Sequence, residues 1–169
     1  LDPGRLQKAL DLIVRRHEAL RTTFTFQDGA LMQVVAPEHN VQIELLRLST
    51  NESEEPEQWL EAKTRELIAR PFDLFTGPLI EARLLSVNEN DHVFIVVMHH
   101  SVSDGWSLDI LYKELRANYE ALEKNLPTAE LPELPVQYPD FAVWKRRSLE
   151  GPLLNNDLDY WKQKLTGAP

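Results

Sequence analysis

Six apolar residues in a row, Val93-Phe94-Ile95-Val96-Val97-Met98, run without a polar break into His99-His100. The run is too short for a buried helix and is rich in β-branched residues, so it predicts a strand. Lacking alternation, such a strand needs cover on both faces, which amphipathic helices supply in α/β folds. The helices are legible on either side. Asp2 and Pro3 read as N-cap and first helical residue, and Leu6, Leu10, Ile13, Val14, His17 and Leu20 recur at helical spacing as far as Arg21. Ser53 to Arg70 predicts a second helix with Trp59, Leu60, Leu67 and Ile68 on its apolar side, a Glu-rich first turn that suits the dipole, and Pro71 as its stop. Trp106 to Lys124 predicts a third, ended by Asn125. Two more, Tyr138 to Arg147 and Asp157 to Leu165, follow an extended connector from Leu126 to Val136 that holds three prolines. Strands are expected at Thr22–Phe26 and Leu31–Val35 around the turn Gln27-Asp28-Gly29, at Val41–Leu48, and at Leu79–Val87 paired with Val93–His99. This order predicts an α/β fold with a mixed β-sheet packed against helices, without strict βαβ winding.

A length of 169 residues with 43% hydrophobic content suits one compact domain or one large lobe. A net charge of −9 excludes a basic nucleic-acid footprint. The chain has no cysteine, which rules out disulfides and thiolate metal sites and fits a reducing cytoplasm, the expected localisation. No stretch approaches the roughly 20 apolar residues of a membrane helix. Leu1-Asp2-Pro3-Gly4 and Leu165-Thr166-Gly167-Ala168-Pro169 both read as ends cut from a longer chain.

Chemistry concentrates in His99-His100-Ser101-Val102-Ser103-Asp104-Gly105, between the apolar strand and the third helix. If both histidines continue the strand they point to opposite faces, so only one can line a given cavity. A histidine there can take a proton from an attacking nucleophile or steady the resulting cation. Backbone N–H groups at the helix start can stabilise an oxyanion. With no cysteine and no Gly-x-Ser-x-Gly elbow, direct transfer between two bound substrates is simpler than a covalent acyl-enzyme. No metal site is expected, since adjacent strand histidines chelate poorly and no His-x-x-x-His helix is present. Asp104 reads as an N-cap or turn residue, or, if buried, as a carboxylate in need of a cation. Gly105 is a candidate for a backbone conformation that strains other residues. In the second constellation, Arg16 to Phe24, the cations sit where a helix C-terminus favours them, and His17 reads as a satisfied core histidine.

Taken together, these segments resemble the condensation-domain family of nonribosomal peptide synthetases. His99 to Gly105 matches its HHxxxDG signature and continues as Trp106-Ser107; Arg16 to Phe24 matches RHExLRTxF; Tyr138-Pro139-Asp140-Phe141-Ala142-Val143-Trp144 matches YxDFAxW. Pro71-Phe72-Asp73-Leu74, Gly77-Pro78-Leu79 and Asp159-Tyr160-Trp161 also sit where the family has them. The resemblance implies a chloramphenicol-acetyltransferase-like fold of two lobes, with residues 1–169 forming the N-terminal lobe. It implies an acyltransferase of secondary-metabolite (antibiotic) biosynthesis that forms an amide bond between thioesters on donor and acceptor peptidyl carrier proteins. The 4′-phosphopantetheine arms belong to those carriers, no cofactor is bound by this chain, and an adenylation domain is the expected neighbour. It implies that His100 is catalytic, as general base or as the group that positions and stabilises the transition state. His99, Ser101, Ser103, Gly105 and Trp106 would complete the active-site motif, and Asp104 would form a structural salt bridge with Arg16 or Arg21. The family's first strand, with an S-x-A-Q-x-R-x-W pattern, and its whole C-terminal lobe are not in this sequence, so the isolated lobe is expected to be nearly inert and to expose an apolar face. An epimerization-type domain of the same superfamily and a non-catalytic docking module are the alternatives.

Overall fold

The computed structural model describes residues 1–48, 55–149 and 152–167, which divide into two units, Leu1–Glu133 and Leu134–Pro169. In the first unit, α1 (Pro3–Arg16) starts as expected, with the Asp2 carboxylate accepting the Arg5 N–H at 3.0 Å. It stops five residues earlier than the periodicity suggests. His17 leaves the helical conformation, and a 3-10 turn over Glu18–Arg21 carries the chain into β1 (Thr22–Gln27). β1 pairs antiparallel with β2 (Ala30–Val35) through the two-residue turn Asp28-Gly29. Both turn residues have positive φ, 52° and 78°, the conformation a tight hairpin turn demands and the reason for Asp-Gly here.

β3 (Ile43–Arg47), β4 (Ile80–Ser86) and β5 (His92–Met98) form the second sheet in that spatial order. β3 runs parallel to β4 and β5 antiparallel to it, so the sheet is mixed as expected. The cover on both faces predicted for the Val93–Met98 run belongs instead to its partner. Six of the seven residues of β4 are buried and none of β5 is, because β4 lies in the middle of the sheet and β5 at its edge among the described residues. Alternation along β4 divides the layers. Ile80, Ala82 and Leu84 join a core with Leu6, Leu10, Ile13 and Val14 of α1 and Leu111 and Leu115 of α3 (Gly105–Glu123), and Phe94, Val96 and Met98 of β5 pack against it. The other face carries Arg83, whose guanidinium reaches the Lys63 carbonyl and the Glu66 carboxylate of α2 (Pro56–Ile68). The predicted start of α2 at Ser53 lies outside the described residues.

Two polar side chains tie the core layer together. The Gln7 carboxamide accepts the Ile43 N–H and donates to the Val41 carbonyl, both at 2.8 Å, standing in for a neighbouring strand at the start of β3. Asn118 of α3, 1% exposed, accepts from the Thr128 hydroxyl and the Ala129 N–H at 3.0 Å and so fastens the proline-rich connector. Asn125 ends α3 with φ 58°, as its place after the last periodic residue suggests.

The second unit contains α4 (Tyr138–Ser148) and α5 (Pro152–Leu165), the latter beginning five residues before the predicted Asp157. Along α4 the rings of Tyr138, Phe141 and Trp144 stack one turn apart, at centroid distances of 5.9 and 5.7 Å.

Candidate active site

β5 ends at Met98, so His99 and His100 do not alternate as strand residues. The His99 N–H makes the last rung to the Leu79 carbonyl at 2.9 Å, and the chain then turns, with the Val102 N–H returned to the His99 carbonyl at 3.0 Å. Val102 is buried and pins this turn to the protein, leaving His100 exposed and Ser101 and Ser103 half-buried.

In the neutral form of each imidazole, hydrogen bonds select different tautomers for the two histidines. Nδ1 of His99 lies 3.1 Å from the Ser101 N–H, which can only donate, and 2.8 Å from the Ser101 hydroxyl. Nδ1 of His99 is therefore an acceptor, and its proton sits on Nε2. The ring also meets Phe72 edge-on at 6.1 Å. For His100 the logic is reversed. Its Nδ1 lies 2.6 Å from the Ser103 carbonyl, which can only accept, so Nδ1 carries the proton and Nε2 keeps its lone pair. His99 is thus held by its own loop, while the exposed His100 is oriented by a backbone carbonyl and presents a proton acceptor.

Asp104 keeps the N-cap role read from its neighbours, and Gly105 departs from expectation. Asp104 is the N-cap of α3: its carboxylate accepts from the Ser107 N–H at 2.9 Å and the Ser107 hydroxyl at 2.8 Å, and the hydroxyl accepts the Asp104 N–H at 3.1 Å. Arg16 and Arg21, the partners expected for Asp104, bond other groups in this structure. Arg16 pairs with Glu114 at 3.2 Å and donates to the Pro132 carbonyl, and Arg21 donates to the carbonyls of Val14, Ala36 and Pro37. The capping box also fills the helix start proposed for an oxyanion, placing a carboxylate there. Gly105 is the first residue of α3, does not have the positive φ that favours glycine, and leaves open space where a Cβ would lie. Trp106, next to it, is 81% exposed.

The Ser107 hydroxyl and then its N–H hold the Asp104 carboxyl below the usual carboxylate range, with a smaller contribution from His100. A depressed native pKa means a contribution to stability that is present above the unfolded pKa and is lost as pH falls through the native one. Asp104→Ala is expected to lower Tm by roughly 2–4 °C near neutral pH, with the difference from wild type shrinking in melts at pH values below the usual carboxylate range. A much larger loss at neutral pH would point to a buried partner for Asp104.

Glu114, not singled out from the sequence, organises the Arg16–Phe24 segment. It lies on the buried side of α3 at 8% exposure, and both carboxylate oxygens are used: Oε1 by Arg16 Nε at 3.2 Å and Oε2 by His17 Nε2 at 2.8 Å. An acid between Leu111 and Leu115 in an apolar stripe is the signal that could have found it. His17 is satisfied, as expected, by this bond. Among the described residues no group of three His, Asp or Glu is placed to hold a metal, and no helix is long and apolar enough to cross a membrane.

The family model for the condensation domain matches residues 1–169. The chain belongs to the condensation-domain family. It is 44% identical over 168 residues to a linear gramicidin synthase of Brevibacillus parabrevis, a match covering 99% of this chain and 2% of that protein. Among solved structures it is similar to a condensation domain described as mediating chain release from the enacyloxin polyketide synthase, with TM-score 0.78, 30% identity, and all of this chain against 32% of that one. It is also similar to the X-domain solved in complex with OxyB from teicoplanin biosynthesis, with TM-score 0.88, 28% identity, and all of this chain against 36% of that one. The condensation-domain chain therefore spans a small part of the curated relatives and about a third of the solved ones. The chloramphenicol-acetyltransferase-like architecture implied by the motifs agrees with these structural neighbours.

Proposed function

We propose that this chain is the N-terminal lobe of a condensation domain that forms the peptide bond between a donor acyl or peptidyl thioester and an acceptor aminoacyl thioester, both carried on the phosphopantetheine arms of carrier proteins. His100 is the catalytic residue. Its Nε2 accepts the proton released as the acceptor amine forms a C–N bond to the donor carbonyl. The C–S bond breaks, and the departing thiolate takes that proton from Nε2, which returns His100 to its starting form. The observation that carries this reading is the 2.6 Å bond between His100 Nδ1 and the Ser103 carbonyl, which leaves Nε2 as the accepting nitrogen on an exposed ring. Asp104 and the Arg16–Phe24 segment fix the elements around it. His99, Ser101 and Ser103 shape the loop, and Trp106 flanks it. Donor and acceptor carriers and the C-terminal lobe are the partners, because positioning two reactants is a large share of the work in such a transfer.

The test is single-turnover condensation, with dipeptidyl thioester followed by mass spectrometry after mixing loaded donor and acceptor carriers with the two-lobed domain or with this chain alone. Product from the two-lobed domain and at most a trace from this chain is expected. No product from correctly loaded, accepted carriers with either protein would overturn the reading in favour of a docking role. Exchange of the Cα proton without amide formation would overturn it in favour of epimerization.

A further inference from the structure

We propose that Glu114 is a positioning residue for the His100 loop and the functional partner of Arg16 and His17, the role that family resemblance implies for Asp104 toward the motif arginine. The proposal rests on the catalytic assignment of His100. Glu114 lies about 14 Å along α3 from Gly105, so it acts at a distance from the chemistry. Its two oxygens bind different residues of α1's end: Arg16, which also ties down the connector at Pro132, and His17, where the helix gives way to the turn that leads into β1. This two-pronged bond sets the position of α3 along α1. The first residue of α3 follows Asp104 directly, and the Asp104–Ser107 capping box joins the signature loop rigidly to the helix. A slide of α3 along α1 therefore moves Ser103, whose carbonyl orients His100. Arg16 Nε can only donate and needs an oxygen of residue 114, while His17 Nε2 donates to the carboxylate; an amide in place of Glu114 keeps both bonds only if His17 changes tautomer.

The experiment measures kcat, KM for each loaded carrier, and Tm in the synthetase that carries this domain, for Glu114→Gln, Arg16→Ala, Asp104→Ala, the doubles of Arg16→Ala with each of the other two, and His100→Ala. Glu114→Gln keeps the volume of the side chain and is the variant expected to fold; Glu114→Ala is the harsher companion. The expected result for Glu114→Gln is a kcat lower by about 10- to 100-fold per folded molecule, with KM for either carrier within about twofold of wild type. Arg16→Ala should add little to Glu114→Gln but should multiply with Asp104→Ala, the pattern of one coupled and one independent pair. A merely structural role would lower Tm and folded yield and leave kcat per folded molecule unchanged, which would overturn the proposal. So would coupling of Arg16 to Asp104 in place of Glu114. If His100→Ala keeps full activity, the catalytic assignment of His100 fails and the proposal with it. If His100→Ala is inactive while Glu114→Gln has wild-type kcat, the positioning role alone fails.

Discussion

Replacing His100 with alanine is expected to lower single-turnover condensation by about 10²- to 10⁴-fold and to leave thermal unfolding within experimental error of wild type. The two halves of this result have separate causes. The ring is exposed and makes one hydrogen bond of its own, from Nδ1 to the Ser103 carbonyl, an acceptor that water can satisfy once the ring is gone. Stability should therefore be indifferent to it. The chemistry should not be, because the amine must shed a proton as the C–N bond forms, and Nε2 is the acceptor that the loop presents. His99→Ala should behave in the opposite manner. That ring accepts two bonds from Ser101 and meets Phe72 edge-on, so its loss should lower Tm and disturb the loop together. Activity and Tm measured on both variants separate a proton acceptor from a loop support. A folded His100→Ala protein with undiminished product would remove His100 from the chemistry and leave positioning of the two thioesters as the source of the rate.

Local rules made much of the fold legible. The Asp2 cap, the Asp28-Gly29 turn, the Asn125 stop and the hydrophobic period of α1 depend on neighbours a few residues away, and each was placed from the chain alone. What escaped depends on partners far off in sequence. The Val93–Met98 run carries no mark of its place at the sheet's edge, because strand order is decided by β3 and β4, and two-sided burial went to β4. α1 stops at Arg16 although its apolar spacing continues to Leu20; His17 turns out of the helix to meet a carboxylate on α3, 97 residues away. At the site, the signature residues and the helix that follows them were in hand, but the tautomers were not, since these depend on which backbone groups the turn aims at each ring. Asp104 illustrates the limit of analogy. Read locally it is an N-cap, and that is what it is in this structure; the salt bridge came from the family resemblance, and its arginines are occupied by Glu114 and by backbone carbonyls.

Arg83→Ala is expected to destabilise the first unit by about 3–5 kcal/mol, measured by urea unfolding, while Arg83→Met should stay within about 1.5 kcal/mol of wild type. Arg83 is the largest fully buried side chain among the described residues, at 1% exposure, on the central strand. Its Nε meets Glu44 of β3 at 2.6 Å, and its terminal nitrogens reach Glu66 and the Lys63 carbonyl of α2. The guanidinium therefore joins β3, β4 and α2 on the face opposite the α1–α3 core, a place where sequence pattern alone expects an apolar residue. Alanine leaves a cavity in the layer beneath α2 and removes every one of these bonds. Methionine fills most of the volume with a flexible apolar chain. Both carboxylates stay about half exposed, 49% for Glu44 and 47% for Glu66, so water can solvate them when the cation is gone. Burying a guanidinium costs desolvation that its ion pairs must first offset, and the half-wet partners limit that return; a well-packed apolar side chain avoids the cost altogether. Were Arg83→Met as damaging as Arg83→Ala, the ion pairs rather than the packing would hold α2 to the sheet, and the half-exposed carboxylates would matter more than their solvation suggests.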